Sequence, residues 1–306
     1  MVNALANLKN QWDKDIAPTL YAQDISKQLM PINPQLSNQG LGVLSIDSLK
    51  YVARGSASIN YDIQQDIEDT VDIALANLKI PVQQDDTKIR RRDWEAYVKQ
   101  GIPISSDLAQ DMAANIAVQR TTLVVDGWKP DGTNYDIKGM YQVANNTVAG
   151  ADFDTFGNAY KTVAACLKEL KTDKIYSPGY NLVLAGLNYA ELMGSISTNG
   201  VSEAQMVIDL LNRDAPPGTQ PGRIFEGTDL AAGTGMVAPI AAQANLRYFD
   251  LIETQEPINH LWFEDGNEVS GDIKARQIGA MVPRFKHLVG GKDNCVCTIS
   301  SGLDSS

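Results

Sequence analysis

The sequence predicts an α+β protein in which whole segments lack a core of their own. Helical and strand-like stretches follow one another without regular βαβ alternation. From Arg223 onward the chain reads mainly as strands. The first 45 residues combine one short amphipathic helix with a polar stretch broken by Pro and Gly. The chain has 306 residues, enough for one large domain or two moderate ones. Its 43% hydrophobic and 21% charged residues are the balance of a globular protein.

Val2, Leu5, Leu8, Trp12 and Ile16 recur at intervals of three and four, which puts them on one face of a helix over residues 2–17. Pro18 is expected to disturb that helix. The stretch to about residue 45 contains Pro31, Pro34, Gly40 and Gly42 among many Asn, Gln and Ser, and reads as an extended arm rather than part of a compact domain. Helix and arm together need a surface to cover them, on their own subunit or on a neighbour.

Residues 46–100 fit two patterns. Ile63, Ile67, Val71, Leu75 and Leu78 share a helical face, yet Val71, Ile73 and Leu75 also alternate with Asp72, Ala74 and Ala76 as in a strand. KIPVQQDDTKIRRRDWEAYV, residues 79–98, is more strand-like. A clearer helix follows Pro103. Ser105 and Ser106 are good N-caps, Leu108, Met112 and Ile116 repeat at i+4 among alanines, and Asp126-Gly127 closes it. A further helix is predicted at about 154–171, then a buried strand over Asn181–Ala185, a short helix in LNYAELMGS and another from Ser202. Pro216–Gly222 is an exposed turn region. RIFEG, GMVAPI, NLRYFDLIE, NHLWFE and DIKARQIGAMVPRF complete the chain as strands.

Charge and motifs exclude several functions. With 37 acidic and 26 basic side chains the net charge is −11, whereas a protein that wraps DNA on its own surface needs a dense basic face. The basic cluster is Arg90, Arg91 and Arg92, flanked by Asp85, Asp86, Asp93 and Glu95, and reads as a solvated or subunit-facing charged strand. No apolar run approaches the roughly 20 residues that span a bilayer, and the N-terminus lacks the pattern of a secretory signal. His260 and His287 have no partner at metal-ligand spacing, and Cys295 and Cys297 form a lone C-x-C pair, so these cysteines and Cys166 are read as structural. No GxSxG elbow or GxxxxGK[ST] loop occurs. Gly233-Thr-Gly-Met-Val-Ala238 matches G-x-G-x-x-A, but Pro239 follows at once, and a strand–turn–strand reading is better than dinucleotide binding. Asp131-Gly-Thr-Asn-Tyr-Asp136 is read as a polar loop, since it lacks the calcium-loop pattern. The expectation is no enzyme, with no catalytic, metal or cofactor residues.

The order of elements carries a resemblance. The run KIPVQQDDTKIRRRDWEAYVKQGIPISSDLAQDMAANIAVQRTTLVVDG, residues 79–127, resembles a segment of encapsulins and related capsid proteins. In those proteins an extended loop returns through a polar strand, a turn leads into a long spine helix, and a terminal glycine enters the axial domain. The helix around Lys161–Lys171, YNLVLAGLNYAELM, and the late strands through DIKARQIGAMVPRF continue the likeness over about residues 80–290. The resemblance implies the major capsid fold of tailed double-stranded DNA viruses (the Johnson fold), in its encapsulin-like branch. Its parts would be an N-terminal helix and arm (1–45), an extended loop (46–100), a peripheral domain with the spine helix (101–126 and 259–306) and an axial domain (127–258).

The implied function is an icosahedral shell subunit assembling with itself as pentamers and hexamers around double-stranded DNA, without sequence-specific contact. Portal, scaffolding or decoration proteins would be its other partners, with no membrane partner, and it would be found in the virion after assembly in the host cytoplasm. An encapsulin-type compartment around a cargo enzyme is the alternative; the Asn/Gln-rich arm and the long 46–80 stretch favour the virus. Leu5, Leu8, Trp12, Ile16, Arg90, Arg91 and Arg92 are the expected subunit-interface residues.

Overall fold

A computed structural model describes residues 12–14, 18, 20, 23–52, 73–100, 104–218, 221–227, 230–264, 271–288 and 295–300. Among them, Trp12–Lys14, Pro18, Leu20 and Gln23 are helical. Pro18 therefore sits in helical backbone, contrary to its expected role as a breaker. Its ring fixes φ near the helical value, and only a missing N–H bond or a clash one turn back carries a cost.

The arm also differs from expectation, because residues 24–40 are built into the body. Helix α1 (Ser26–Leu29) puts Leu29 and the following Met30 wholly inside the main core. Beyond it the chain runs beside a long strand. The Asn33, Asn38 and Gly40 amides donate to the carbonyls of Leu251, Glu253 and Thr254 at 2.8–2.9 Å, and Leu251 N–H donates back to Pro31 at 2.9 Å. An Asn- and Gly-rich stretch looks unanchored in sequence, but here a strand edge satisfies its backbone.

Strands β1 (Ser45–Val52) and β2 (Ile73–Lys79) form an antiparallel hairpin in register from Ser45↔Lys79 to Tyr51↔Ile73. The alternation at 71–75 is thus a strand pattern where it is described; Ile63, Ile67 and Val71 lie outside the described residues. Strand β3 (Val82–Ile89) follows, and then helix α2 (Arg91–Gln100) replaces the strand expected over 90–98. The reason lies in the contacts made at the helix start. Asp272 Oδ1 accepts the Arg91 amide at 2.9 Å, Arg91 Nε pairs with Glu95 one turn on at 3.0 Å, and Trp94 turns toward the apolar cluster beneath.

The spine of the molecule is α3 (Ile104–Val125), which packs on β3 and on β11 (Ile273–Phe285). Ala109, Ala113 and Ala117 are fully buried on it, so helix and sheet approach closely. Gly127, at φ +108°, opens the ribbon of β4 (Gly127–Trp128) and β5 (Ile137–Lys138). A Cβ there would lie 2.3 Å from the Ile137 carbonyl oxygen, so only glycine fits.

After α4 (Met140–Val143) and β6 (Asn146–Ala149) come α5 (Asn158–Thr172), β7 (Tyr180–Ala185), α6 (Gly186–Gly194), α7 (Glu203–Leu211), β8 (Ile224–Gly227) and β9 (Gly235–Pro239). Every residue of β7 is buried, as its apolar run Leu182–Ala185 predicts, and the polar Asn181 is satisfied by the Gln28 carbonyl and the Arg223 amide. A 3₁₀ turn (Gln243–Arg247) precedes the 15-residue β10 (Phe249–Phe263), so the start of NLRYFDLIE is helical rather than extended. After β11, β12 (His287–Leu288) and β13 (Cys297–Ser300) end the described chain.

The larger sheet has the order β6-β13-β9-β7-β8, so the C-terminal strand lies inside it rather than with residues 259–285. The other main sheets are β10-β11-β3 and β12-β1-β2. Two cores result. One lies between the five-stranded sheet, α5, α7 and the first half of β10; the other is a smaller cluster under α3.

Two buried charge networks hold the arm. Arg120 of α3 is fully buried and binds Asp24 at 2.7 Å and Glu253 at 2.5 Å; Lys27 reaches the same Glu253 at 2.9 Å. Asp250 of β10, also fully buried, is gripped by Arg284 at 2.8 and 2.6 Å, by Lys286 at 2.6 Å and by the Asn33 amide at 2.5 Å.

Candidate assembly surfaces

The expected interface residues have divergent fates. Leu5, Leu8 and Ile16 lie outside the described residues. Trp12 does not face a neighbour: it is fully buried in its own subunit, among Ile89, Ala109, Met112, Ala113, Ile273 and Ala275. This corrects its interface assignment. The helix needs a covering surface, and for Trp12 the spine helix and β11 of the same subunit supply it.

The three arginines also separate, since helix α2 starts among them. Arg91 is half-buried, with its guanidinium 5.6 Å from the Phe263 ring and paired with Glu95, so it serves its own subunit. Arg90 and Arg92 are exposed. Asp272 beside them has its carboxyl held below the ordinary range, chiefly by the Arg91 amide and Lys88, with a smaller contribution from Arg90.

Sequence patterning missed the exposed apolar surface. At the root of the β1–β2 hairpin, Leu44 is 80% exposed, Val82 53%, Val118 44% and Trp128 43%. They border two adjoining grooves. One, of about 410 Å³, runs between β3 and α3 over Val82, Val118 and Leu123; the other, of about 460 Å³, lies over Leu44, Ile80 and Asp136. Pro81 and Trp128 line both. These side chains come from four separate segments of the chain, so no periodicity gathers them. A second exposed group, Leu187, Met193, Ile196 and Val201, lies on α6 and the turn that follows it. Apolar patches of this kind mark surfaces that another molecule covers.

The motifs with chemical associations are occupied structurally. Gly235 opens β9 rather than a helix, and a Cβ on it would come within 2.7 Å of Leu184 Cδ2. Its role is close strand packing, and no helix N-terminus stands ready for a pyrophosphate. Asp131 Oδ1 accepts the amides of Asn134 at 2.7 Å and Thr133 at 2.9 Å, bonds that hold its carboxyl down at about 2. It is committed to its own turn. Among the described residues, no three His, Cys, Asp or Glu side chains are placed to share a metal ion, and no helix is long and apolar enough to cross a membrane.

A family model described as "Encapsulating protein for peroxidase" (Linocin_M18) matches residues 51–215, more than half of the chain. Among solved structures, the virus-like particle from Pyrococcus furiosus superposes with a TM-score of 0.63 at 11% identity, covering 95% of this chain and 98% of that one. The capsid of Myoviridae phage XM1 gives 0.58 at 13% identity, covering 90% of each chain. A structure of Mycobacterium phage Ogopogo gives 0.54 at 12% identity, covering 89% and 92%. At these identities the likeness is one of fold, and the fold is the one expected, that of tailed-phage capsids and encapsulins. No curated protein sequence matches the chain.

Proposed function

The chain belongs to the Linocin_M18 family, and on that premise we propose that it is a structural subunit that assembles with itself into a closed icosahedral shell. The observation that carries this reading is the family match. It runs from the end of β1 through β2 and the spine helix and covers the whole region from β4 to α7. The exposed apolar grooves at the hairpin root support it. A shell repeats each contact around closed symmetry, so modest contacts sum to a stable particle.

Double-stranded DNA is the proposed content. The fold is shared with the capsid of phage XM1, and a net charge of −11 suits a wall that confines a polyanion without binding its sequence. The family's description favours a second reading, a shell around a cargo enzyme. Electron microscopy of the purified protein, with particle contents assayed for nucleic acid and for protein, tests both. Closed particles with nuclease-protected DNA support the first, and particles holding a co-purified enzyme support the second. A monodisperse monomer at high concentration would remove the shell reading altogether.

Two variants probe the surfaces. Trp128→Glu puts a charge into both grooves at an exposed position, where the isolated subunit loses little. The expected result is a native circular-dichroism spectrum with particle yield reduced at least tenfold. Under the same reading, Arg90→Glu with Arg92→Glu reverses the exposed charge at the start of α2, since arginine is suited to bidentate carboxylate pairing across an interface. Folding should be unaffected and assembly blocked, and raised salt should weaken wild-type assembly by screening. Wild-type yield and salt sensitivity in the double variant would assign these arginines to solvent.

A further inference from the structure

The turn after α6 carries a chemical pairing, asparagine before glycine, that shell building does not require. Asn199 is the one asparagine of the sequence that glycine follows. The turn closes a short antiparallel contact, the bridge between Ile196 and Ser202. Ser197 N–H donates to the Val201 carbonyl, Gly200 N–H to the Ser197 carbonyl and Val201 N–H to the Ser197 hydroxyl oxygen, each at 2.9 Å. Gly200 has φ +78°, and a Cβ built on it would meet nothing within 4 Å. Thr198, Asn199, Gly200 and Val201 are all exposed. The Asn199 carboxamide bonds to nothing among the described residues, whereas those of Asn188, Asn212 and Asn245 are held by hydrogen bonds.

We propose that Asn199 and Gly200 form a spontaneous deamidation site, where Asn199 becomes aspartate or isoaspartate at a rate set by opening of this turn. The Gly200 amide nitrogen loses its proton to hydroxide and attacks Cγ, the side-chain carbonyl carbon of Asn199. The N–Cγ bond forms, the Cγ–Nδ2 bond breaks, and Nδ2 leaves as ammonia with a proton from solvent. The product is a five-membered succinimide. Water then opens either carbonyl of the ring. Opening at Cγ gives aspartate on the original backbone. Opening at the Asn199 backbone carbonyl gives isoaspartate, with the chain rerouted through the side chain. One water is consumed and one ammonia released, and no atom changes its oxidation state.

Glycine matters here for a steric reason. The reacting nitrogen must swing toward Cγ, and a side chain on the following residue crowds that approach; Gly200 has none. The open space around Gly200 leaves room for the ring. The bond from Gly200 N–H to the Ser197 carbonyl works the other way, because it withholds the nitrogen. That bond sits in an exposed turn closed by one bridge, the kind of segment that opens at little free-energy cost. The new carboxylate lands between Ile196 and Val201, both exposed apolar residues. The sequence has no Lys, Arg or His between Lys174 and Arg213 to offset the charge nearby in the chain.

Nothing in this chemistry depends on what the shell contains. Its test is prolonged incubation of the purified full-length protein at neutral and at mildly alkaline pH, followed by peptide mapping with mass spectrometry and by isoelectric focusing. The peptide holding Asn199 should convert from amide to acid several-fold faster than any other asparagine. Both aspartyl and isoaspartyl forms should appear, and the rate should rise in proportion to hydroxide. The whole protein should drift to a lower isoelectric point as the charge accumulates. Asn199→Gln should lose the modified peptide. Ser197→Ala removes the hydroxyl that accepts the Val201 amide and should speed conversion several-fold. Three results would overturn the proposal. One is another asparagine converting first. Another is the aspartyl product alone, the mark of direct hydrolysis without a ring. The third is an equal rate in the Ser197→Ala and wild-type proteins, which would remove turn opening as the controlling step.

Discussion

Arg120→Ala is expected to destabilise the subunit by about 3–5 kcal/mol, the cost of stranding buried charge. Arg120 is fully buried and is the shared partner of Asp24 from the arm and Glu253 from β10. Removing it leaves two carboxylates facing each other, with Lys27 as the remaining cation on Glu253. The attraction of Asp24 and Glu253 is large enough to raise the guanidinium's affinity for its proton, although burial opposes it. Urea unfolding followed by tryptophan fluorescence measures the loss. The triple replacement Asp24→Leu, Arg120→Met, Glu253→Leu should recover much of it, because an apolar core has no charges to desolvate. A cost below about 1 kcal/mol for the single variant, the range of exposed ion pairs, would mean that water reaches the network.

Acid should loosen the arm through Asp250, and Asp250→Asn should cost about 3 kcal/mol at neutral pH. Burial alone would raise the Asp250 pKa, but the Arg284, Lys286 and Asn33 hydrogen bonds outweigh it and the net shift is downward. A carboxyl with a depressed folded pKa contributes stability that is fully present above its unfolded value of about 4. That contribution is lost as pH falls through the lower folded value. Wild-type stability should therefore drop steeply below about pH 4, whereas the Asn variant should start lower and fall less. Asp86, Glu264 and Asp272 are also depressed by cationic and amide partners, but they lie at surface ion pairs, exposed or half-buried, that are common to both proteins. Urea midpoints at pH 7 and pH 3 give the comparison. Parallel pH profiles for the two proteins would show that Asp250 is not the responsible group.

The two networks bear on how much was legible in the residues alone. Asp24, Arg120, Asp250 and Glu253 carry no pattern that joins them. Arg120 of α3 reaches Asp24 and Glu253, and Asp250 reaches Asn33, only because the arm runs beside β10 near that helix, and this placement is a tertiary event. The same holds for the apolar grooves, where Leu44, Val82, Val118 and Trp128 each look like an ordinary isolated hydrophobe in sequence.

Local periodicity determined what it physically could. The i+4 repeat of Leu108, Met112 and Ile116 is helix α3, the apolar run at 181–185 is the buried strand β7, and the late alternating segments are β10 and β11. The order of those elements was enough to indicate the capsid fold, since burial of one helical stripe or one strand face is already written in residues three, four or two apart. Where a segment's fate depended on distant partners, tertiary structure decided it. KIRRRDWEAYV divides into strand and helix because Asp272, far along the chain, caps Arg91. Trp12 is covered by its own spine helix, and residues 24–40 join the body because β10 offers an unpaired edge and buried countercharges. A backbone group or a charge needs a partner in space, and sequence distance alone does not reveal which one the fold brings to it.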